Sequence, residues 1–550
     1  MNGNNRLLIK RYTGVLIVTI LLVLHLFISP QYGFTWDFHF HFFGGGKLLG
    51  IAPNVLEPRN LPFVEPDPRK AWTLPYGPLM SIPPVASYLY FHKTLGLLPA
   101  DVSYHIPIIV WGVLGSLVLY LFLKEAVSYR AGVFAAVLLA LIPRYFGDLH
   151  NNMKDIPSAV IFGANMWALW RLARYKRVTD LLLALFLFAA AFNIKINSVY
   201  IPVVFGVWIV FQWVVTRRIR LEKQTWLYIL LAPVSALLLW WVFWTDPIGQ
   251  LKHAYLTFGV GTNNIEVLLN GAWYCSGSTV PWYYPFWYLA VVTPISILFL
   301  ALLGVTRVVK SVATAPTSSE SETGVLFLVW FLVPLTRYAV PSIGVIDGIR
   351  HFEEVLLPIA ALSGLALDWL YRTYAKKYPH VLIGFLCLLF AWLLSSIALY
   401  HPYEIAYFNE LVGGAKGALG KYDLDYWGTS QKAAVEWIND HAPQNARVHI
   451  VMAAAVAGQY LRPDLLANLN TADYDHSDFV ALLNRTSFLY RFYYAYAYFL
   501  GHRPVHTISV MGAPLVWIFD NRTNNVIQKQ EPFWKHEDPC ILKYWNGSRL

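Results

Sequence analysis

Arg144-Tyr-Phe-Gly-Asp148-Leu-His150-Asn-Asn-Met-Lys154-Asp155-Ile-Pro157 is a dense polar stretch set between two hydrophobic segments, each able to enter a bilayer. Ionisable groups at a membrane boundary are costly to desolvate, so such a cluster lines a cavity or a reaction site. Asp37, His39 and His41 lie just after the first hydrophobic segment of the chain. If both clusters emerge on one side of the membrane, they face one another across a single cleft. Topology decides whether they do.

Composition sets the class. Hydrophobic residues make up 57% of the 550 and charged residues only 13%, which points away from a soluble protein and towards a membrane-embedded one. The 22 Trp, 34 Tyr and 33 Phe favour membrane interfaces. A net charge of +10 could suggest nucleic acid, but the basic residues cluster between apolar runs, which is the positive-inside bias of a membrane protein. Three cysteines imply no disulfide framework or zinc site; Cys275 and Cys540 would both be external and could pair, while Cys387 lies within a span. His25 interrupts the first apolar run and no A-x-A pattern follows it, so it reads as a retained span.

Apolar runs fall at 13–29, 102–123, 131–143, 156–173, 179–194, 198–216, 225–244, 286–308, 324–340, 354–371 and 379–400. With the N-terminus (Arg6, Lys10, Arg11) inside, every second loop should be short and basic. Those loops hold Lys124 and Arg130; Arg171, Arg174, Lys176 and Arg177; Arg217, Arg218, Arg220 and Lys223; Arg307 and Lys310; and Arg372, Lys376 and Lys377. The alternation is unbroken, which predicts an α-helical polytopic membrane protein of about 11 transmembrane helices with the C-terminus outside. Asp37, Asp148 and Asp155 then share the outer face. Beyond residue 400 the membrane pattern ends. Helical spacing over Gln431–His441 and short strands at 447–451, 505–510 and 515–519 predict a small C-terminal extracytoplasmic α/β domain. The expected units are a membrane domain over 1–400 and an outer domain over 401–550. Asn484, Asn521 and Asn546 each begin a glycosylation triplet on the outer side.

Two glycine-rich stretches invite a nucleotide reading and fail it. Gly44-Gly45-Gly46-Lys47 is followed by Leu48 and follows no strand, and Gly413-Gly414-Ala-Lys416-Gly417 has the wrong spacing for a phosphate loop. Turns or close helix contacts explain both.

The carboxylates carry more. Asp37 sits among aromatics at an interface, where it needs a partner, a metal or a reacting hydroxyl; beside an acceptor hydroxyl it could serve as general base. The plainer alternative is an N-cap for the segment reaching Leu49, and Asp155 has the same ambiguity two residues before Pro157. Lys195 ends one span, Arg350-His351 precede another, and Arg144 and Lys154 flank the polar cluster. Such groups could clamp a lipid-linked phosphate, or singly snorkel to headgroups.

Thr35-Trp-Asp37, Tyr76-Gly77-Pro78-Leu79, the 144–157 stretch, Gly348-Ile-Arg350-His351-Phe, His401-Pro-Tyr-Glu-Ile-Ala-Tyr-Phe-Asn409 and Asp425-Tyr-Trp427-Gly together resemble segments of the GT-C glycosyltransferases. Within these the chain looks most like the dolichyl-phosphate-mannose protein mannosyltransferase and aminoarabinose transferase superfamily. The resemblance spans most of residues 30–430. It implies transfer of a monosaccharide from a polyprenyl-phosphate donor to a protein, lipid or glycan acceptor on the outer membrane face. Asp37 maps to the family's acid in the first outer loop, and Asp148 or Asp155 to the second acidic site. Arg350, Lys195, His351, Arg144 and Lys154 map to the donor-phosphate site. Family members differ in binding a divalent cation; Asp37, His39, Asp148, His150 and Asp155 are the candidate ligands, though their spacing is no metal signature. The expected partners are the lipid-linked donor, membrane lipids and the acceptor, with no nucleic acid. The rival classes are a lipid or small-molecule transporter and a non-catalytic assembly subunit. Transporters place ionisable groups at mid-span, whereas here charge gathers at the outer ends.

Overall fold

The computed structural model describes residues 3–52, 77–151, 153–216, 222–241, 244, 246–255, 262–492, 495, 499–523, 526 and 540. Tyr76, Asn152, Arg217, Arg218, Arg220 and Asn546, quoted above, lie outside the described residues.

Each of the eleven apolar runs coincides with a helix. They are Gly3–Ile28, Ala100–Ala126, Tyr129–Ala140, Asp155–Tyr175, Val178–Ile194, Tyr200–Thr216, Lys223–Leu238, Ile295–Thr314, Ser319–Tyr338, Leu356–Tyr374 and Pro379–Tyr400. The run expected at 286–308 is divided, because Thr293 and Pro294 separate a short helix, Tyr284–Val292, from Ile295–Thr314. A proline removes a helix donor and restricts the residue before it. By length and apolarity together, six helical stretches among the described residues can cross a membrane, so by this measure the expected eleven is not reached. Tyr129–Ala140 and Val178–Ile194 are apolar but short. The chain is thus an α-helical, polytopic membrane protein.

The helix Leu356–Tyr374 lies at the centre of the bundle, packed between Ile295–Thr314 and Tyr129–Ala140. Small residues make this closeness feasible. A Cβ on Gly304 would stand 2.2 Å from the Leu362 carbonyl oxygen, and one on Gly364 would stand 2.8 Å from Ala135. By contrast, Pro379–Tyr400 presents Val381, Leu388 and Leu399 outward, as a lipid-facing helix does.

The two ends of the bundle differ in chemistry. At one end, Arg130 and Arg372 both pair with Asp368, Arg307 and Arg372 with Glu320, and Arg171 with Glu125 and Asp180. These are the short basic loops of the charge alternation, gathered in space. At the opposite end, where the Asp155 and Leu356 helices begin, lie residues 32–48, 143–155, 195, 345–353 and 401–430.

The glycine run Gly44–Gly46 belongs to the helix Phe38–Leu48, which packs on Pro78–Ser87. A Cβ on Gly45 would stand 1.9 Å from the Ser81 carbonyl oxygen, so glycine here serves close helix contact.

After residue 430 the chain forms a four-stranded mixed sheet in the order β3-β4-β6-β5, with β3 Val448–Ile450, β4 Phe479–Leu483, β5 His506–Val510 and β6 Ala513–Asp520. β3 runs parallel to β4, and the other pairs are antiparallel. Ala434, Val435 and Ile438 of the helix Gln431–His441 are buried in the core it shares with this sheet. The strands foreseen at 447–451, 505–510 and 515–519 coincide with β3, β5 and β6. β4 escaped the sequence reading because Phe-Val-Ala-Leu-Leu is covered on both faces and shows no alternation. A hairpin of β1 Glu266–Leu269 and β2 Ala272–Cys275 leads to Cys275, which is disulfide-bonded to Cys540. Asn484 is buried and its amide donates to the Pro514 carbonyl, so this triplet is no accessible glycosylation site.

Candidate active site

Asp37 occupies the N-cap position of the helix Phe38–Leu48, yet its side chain makes no capping hydrogen bond. Its Oδ2 instead accepts from Lys154 Nζ and, at 3.3 Å, from Arg350 Nη1. Both cations are nearly buried, at 9% and 10% side-chain exposure, whereas Asp37 retains 22% and so stands at the mouth of the cluster. Burial alone would favour the neutral acid, but Lys154 and then Arg350 hold the carboxyl well below the usual range. Trp427 forms a wall: the Arg350 guanidinium lies 4.7 Å and Lys154 Nζ 5.6 Å from its ring centre. Trp36 is tied to the same wall through its N–H, which donates to the Trp427 carbonyl at 2.9 Å.

Asp155 is the first residue of its helix and pairs with Lys195 at 2.9 Å. Lys195 Nζ also donates to the Arg350 carbonyl at 3.2 Å, which joins the two ion-paired groups into one cluster. Beside it is a narrow crevice lined by Asp148, Asn151, Asp155, Ile156, Glu353 and Trp427. Burial pushes the Asp148 carboxyl up to about 6, although Glu353, Arg144 and Asn151 act in the opposite direction. Two carboxyls facing each other in a dry pocket share a proton more readily than they both ionise. Glu353 is therefore part of the site. Nothing local in the sequence distinguishes it from the adjacent Glu354.

The remaining candidates lie elsewhere. Arg144 is fully buried; its Nη1 donates to Tyr426 at 3.4 Å and its guanidinium lies 5.2 Å from the Phe408 ring centre. His351 turns its ring towards Tyr338, whose hydroxyl donates to the His351 carbonyl at 3.0 Å. Burial, then Arg350, holds the His351 ring neutral. His39 packs against Phe38 and Phe43, and burial lowers it to about 4 despite Asp37. His150 bonds to His25 at 3.0 Å and stacks on Tyr32 at 3.9 Å. Tyr32 in turn donates to Glu404 at 2.9 Å. Of the five candidate metal ligands, the two histidines thus point into other surroundings. Among the described residues no group of three or more His, Cys, Asp and Glu is placed to hold a metal ion.

Residues outside the expected set complete the cluster. Asp347, at φ +57°, accepts from Arg350 Nη2 at 3.0 Å and from Arg485 Nη2 at 2.5 Å. Gly348 follows it at φ +67°, and a Cβ there would stand 2.9 Å from the Tyr288 ring. Only glycine suits that position, and the turn it makes places Arg350 over Trp427. The Gly348-Ile-Arg350 motif was a signal for this turn; nothing in sequence signalled Arg485.

Residues 82–244 match the dolichyl-phosphate-mannose-protein mannosyltransferase family. The match agrees with the resemblance drawn from the sequence; the matched stretch contains Arg144–Pro157 and Lys195, while Asp37 and Arg350 lie outside it. Among solved structures the chain is similar to ArnT from Cupriavidus metallidurans bound to undecaprenyl phosphate, at 13% identity and a TM-score of 0.48, covering 94% of this chain and 98% of that one. It is also similar to the oligosaccharyltransferase AglB from Archaeoglobus fulgidus in complex with an inhibitory peptide and a dolichol-phosphate, at 11% identity and 0.46, covering 89% and 71%. The arabinofuranosyltransferase AftD from Mycobacteria is similar at 14% identity and 0.43, covering 94% and 42%. No curated protein matches the sequence.

Proposed function

We propose that this chain is an integral-membrane glycosyltransferase that moves a monosaccharide from a polyprenyl-phosphate carrier to a hydroxyl of a protein, lipid or glycan acceptor on the outer membrane face. The observation that carries this reading is the convergence of Arg350 and Lys154 on Asp37 at the mouth of a buried polar cluster. Two cations beside one partly open carboxylate suit a reaction in which a phosphate leaves while an acceptor proton is taken up.

In this reading the acceptor oxygen attacks the anomeric carbon, and the bond from that carbon to the phosphate oxygen breaks with inversion. The electron pair goes to the phosphate, whose new charge Arg350 and Lys154 neutralise. The acceptor proton goes to Asp37. Held by two cations, Asp37 is ionised but weakly basic. A donor phosphate competing for Arg350 and Lys154 would draw them away and restore its basicity, so base strength would rise only once the donor is bound. Lys195 and Asp155 brace the Arg350 main chain from behind.

The assignment of this end to the outer face is supported by the Cys275–Cys540 disulfide, since such bonds persist in oxidising compartments. The hairpin that carries Cys275 adjoins the site: Ser276 Oγ accepts from the Val345 N–H at 2.8 Å. About eleven spans, a cytoplasmic N-terminus, and units over 1–400 and 401–550 belong to the same proposal. The test is transfer by purified protein in nanodiscs from polyprenyl-phosphate-linked sugars. Retained transfer by both Asp37→Asn and Arg350→Ala would overturn this reading.

A further inference from the structure

Four charged side chains from three separate parts of the chain form a continuous line at the site. Arg485 Nη2 donates to Asp347 Oδ1 at 2.5 Å, Asp347 Oδ2 accepts from Arg350 Nη2 at 3.0 Å, and Arg350 Nη1 reaches Asp37 at 3.3 Å. Arg485 and Asp347 are nearly enclosed, at 6% and 5% side-chain exposure, so water screens this line little. Arg485 lies in the loop that leaves β4, two residues past the strand end at Leu483, and is thus carried by the four-stranded sheet, outside the matched stretch and beyond the motif-bearing residues 30–430.

The segment that carries Arg485 is seated firmly. Its guanidinium stacks on Phe488 at 3.6 Å and lies 5.2 Å from the ring of Trp36, the residue before Asp37. Its Nη1 donates to the Tyr426 carbonyl at 3.2 Å, and the Ser487 N–H donates to Asp423 at 2.8 Å. On the other side, Asp347 is a non-glycine residue in the left-handed region, a conformation that needs support from its surroundings. Arg485 supplies the counter-charge that holds this carboxylate, and the carboxylate supplies the second contact that orients the Arg350 fork. Without Arg485, Asp347 would be left with Arg350 as its ion-pair partner and would pull that guanidinium away from Asp37 and the pocket mouth.

We infer that Arg485 is a positioning residue: the C-terminal sheet sets the direction of the Arg350 guanidinium through Asp347 and thereby sets the affinity of the site for a lipid phosphate. This rests on the reading of Arg350 as a phosphate ligand given above. The consequence is that the sheet is part of the binding machinery, although Arg485 itself touches no substrate.

The experiment uses the full chain in nanodiscs and titrates undecaprenyl phosphate, with thermal stability measured in parallel. Arg485→Ala and the isosteric Asp347→Asn are each expected to weaken binding by about ten-fold, and Arg485→Lys to recover part of the loss because charge returns without the fork. In an Arg350→Ala background, Arg485→Ala should cost nothing further, since the group it orients is gone. A full additional loss in that background, or unchanged binding in Arg485→Ala while Arg350→Ala is impaired, would overturn the inference and leave the phosphate assignment standing. Unchanged binding in Arg350→Ala would instead remove the phosphate assignment and the inference with it. If Arg485→Ala does not fold, Asp347→Asn and Arg485→Lys carry the same comparison.

Discussion

Arg350 and Asp37 are 313 residues apart in the chain and 3.3 Å apart in the structure. Lys154 meets the same carboxylate oxygen from a third segment. A carboxylate at a helix N-cap position is instead the meeting point of two buried cations. The three residues come from the first outer loop, the polar stretch before the Asp155 helix, and the turn before the Leu356 helix.

Asp37→Asn keeps volume and hydrogen-bonding capacity while removing basicity. Proton transfer by a positioned group contributes ~10²–10⁴-fold, and transfer should fall by about that factor. Melting temperature should fall, because Lys154 and Arg350 lose the carboxylate charge they share, while the fold and donor binding persist. Single-turnover rates at saturating donor measure this, and a rate within about three-fold of the parent would move the base elsewhere.

Arg350→Ala should weaken donor binding by roughly 1.5–3 kcal/mol, the range of a charge-assisted contact. Arg350→Lys should recover only part, because an ammonium cannot hold Asp37 and Asp347 in one fork. Equilibrium binding of a polyprenyl phosphate separates the three proteins.

Lys195 and Asp155 are both enclosed, so removing one leaves a buried charge without its partner. Lys195→Met and Asp155→Asn should each destabilise the protein by about 3–5 kcal/mol, and the double variant should be less impaired than the sum. Thermal unfolding in detergent reads the cycle, and strictly additive losses would show that the pair is not coupled.

Asp148 gives a pH signature. Its carboxyl is raised from an ordinary value of 3.8 to about 6, so the folded state binds this proton more tightly than the unfolded chain does. The corresponding stability is complete below pH 3.8 and is lost as pH rises through about 6. Melting temperature followed from pH 4 to 7 should therefore fall more steeply in the parent protein than in Asp148→Asn. Parallel curves would exclude this group as the source.

Cysteine chemistry tests the sidedness of the chain. In protein isolated without reductant and then denatured in SDS, a maleimide should label Cys387 and spare Cys275 and Cys540 until reduction. Cysteines introduced at 220 and 430 should react with an impermeant reagent from opposite faces of sealed vesicles. Labelling of both from one face would break the proposed topology.

The membrane class was legible because bilayer partitioning acts on composition and run length, which are properties of the chain itself. For the same reason each apolar run was a helix, and the basic loops could be assigned to one end before any contact was known. Span number was less legible. Thr293-Pro294 divides one run, and several others are too short or too polar for length and apolarity to decide. Lys154, Asp155 and Lys195 could be named as candidates because charge is conspicuous beside apolar sequence. Their pairing could not, since ion pairs form across elements whose separation in sequence has no bearing on distance.

By itself, then, the sequence determined the solvent this protein folds in, the order of its helices, and the end of the bundle where its chemistry gathers. These follow from local hydrophobicity and charge. Tertiary structure alone decided that Asp37 is paired with Arg350 and Lys154 rather than capping its helix, that Glu353 joins Asp148 in the pocket, and that His150 and His39 turn away from it. It alone brought Arg485 from the sheet to Asp347. Such choices depend on which buried charges find partners when helices close to within a side chain of one another, and that balance between desolvation and pairing exists only in three dimensions.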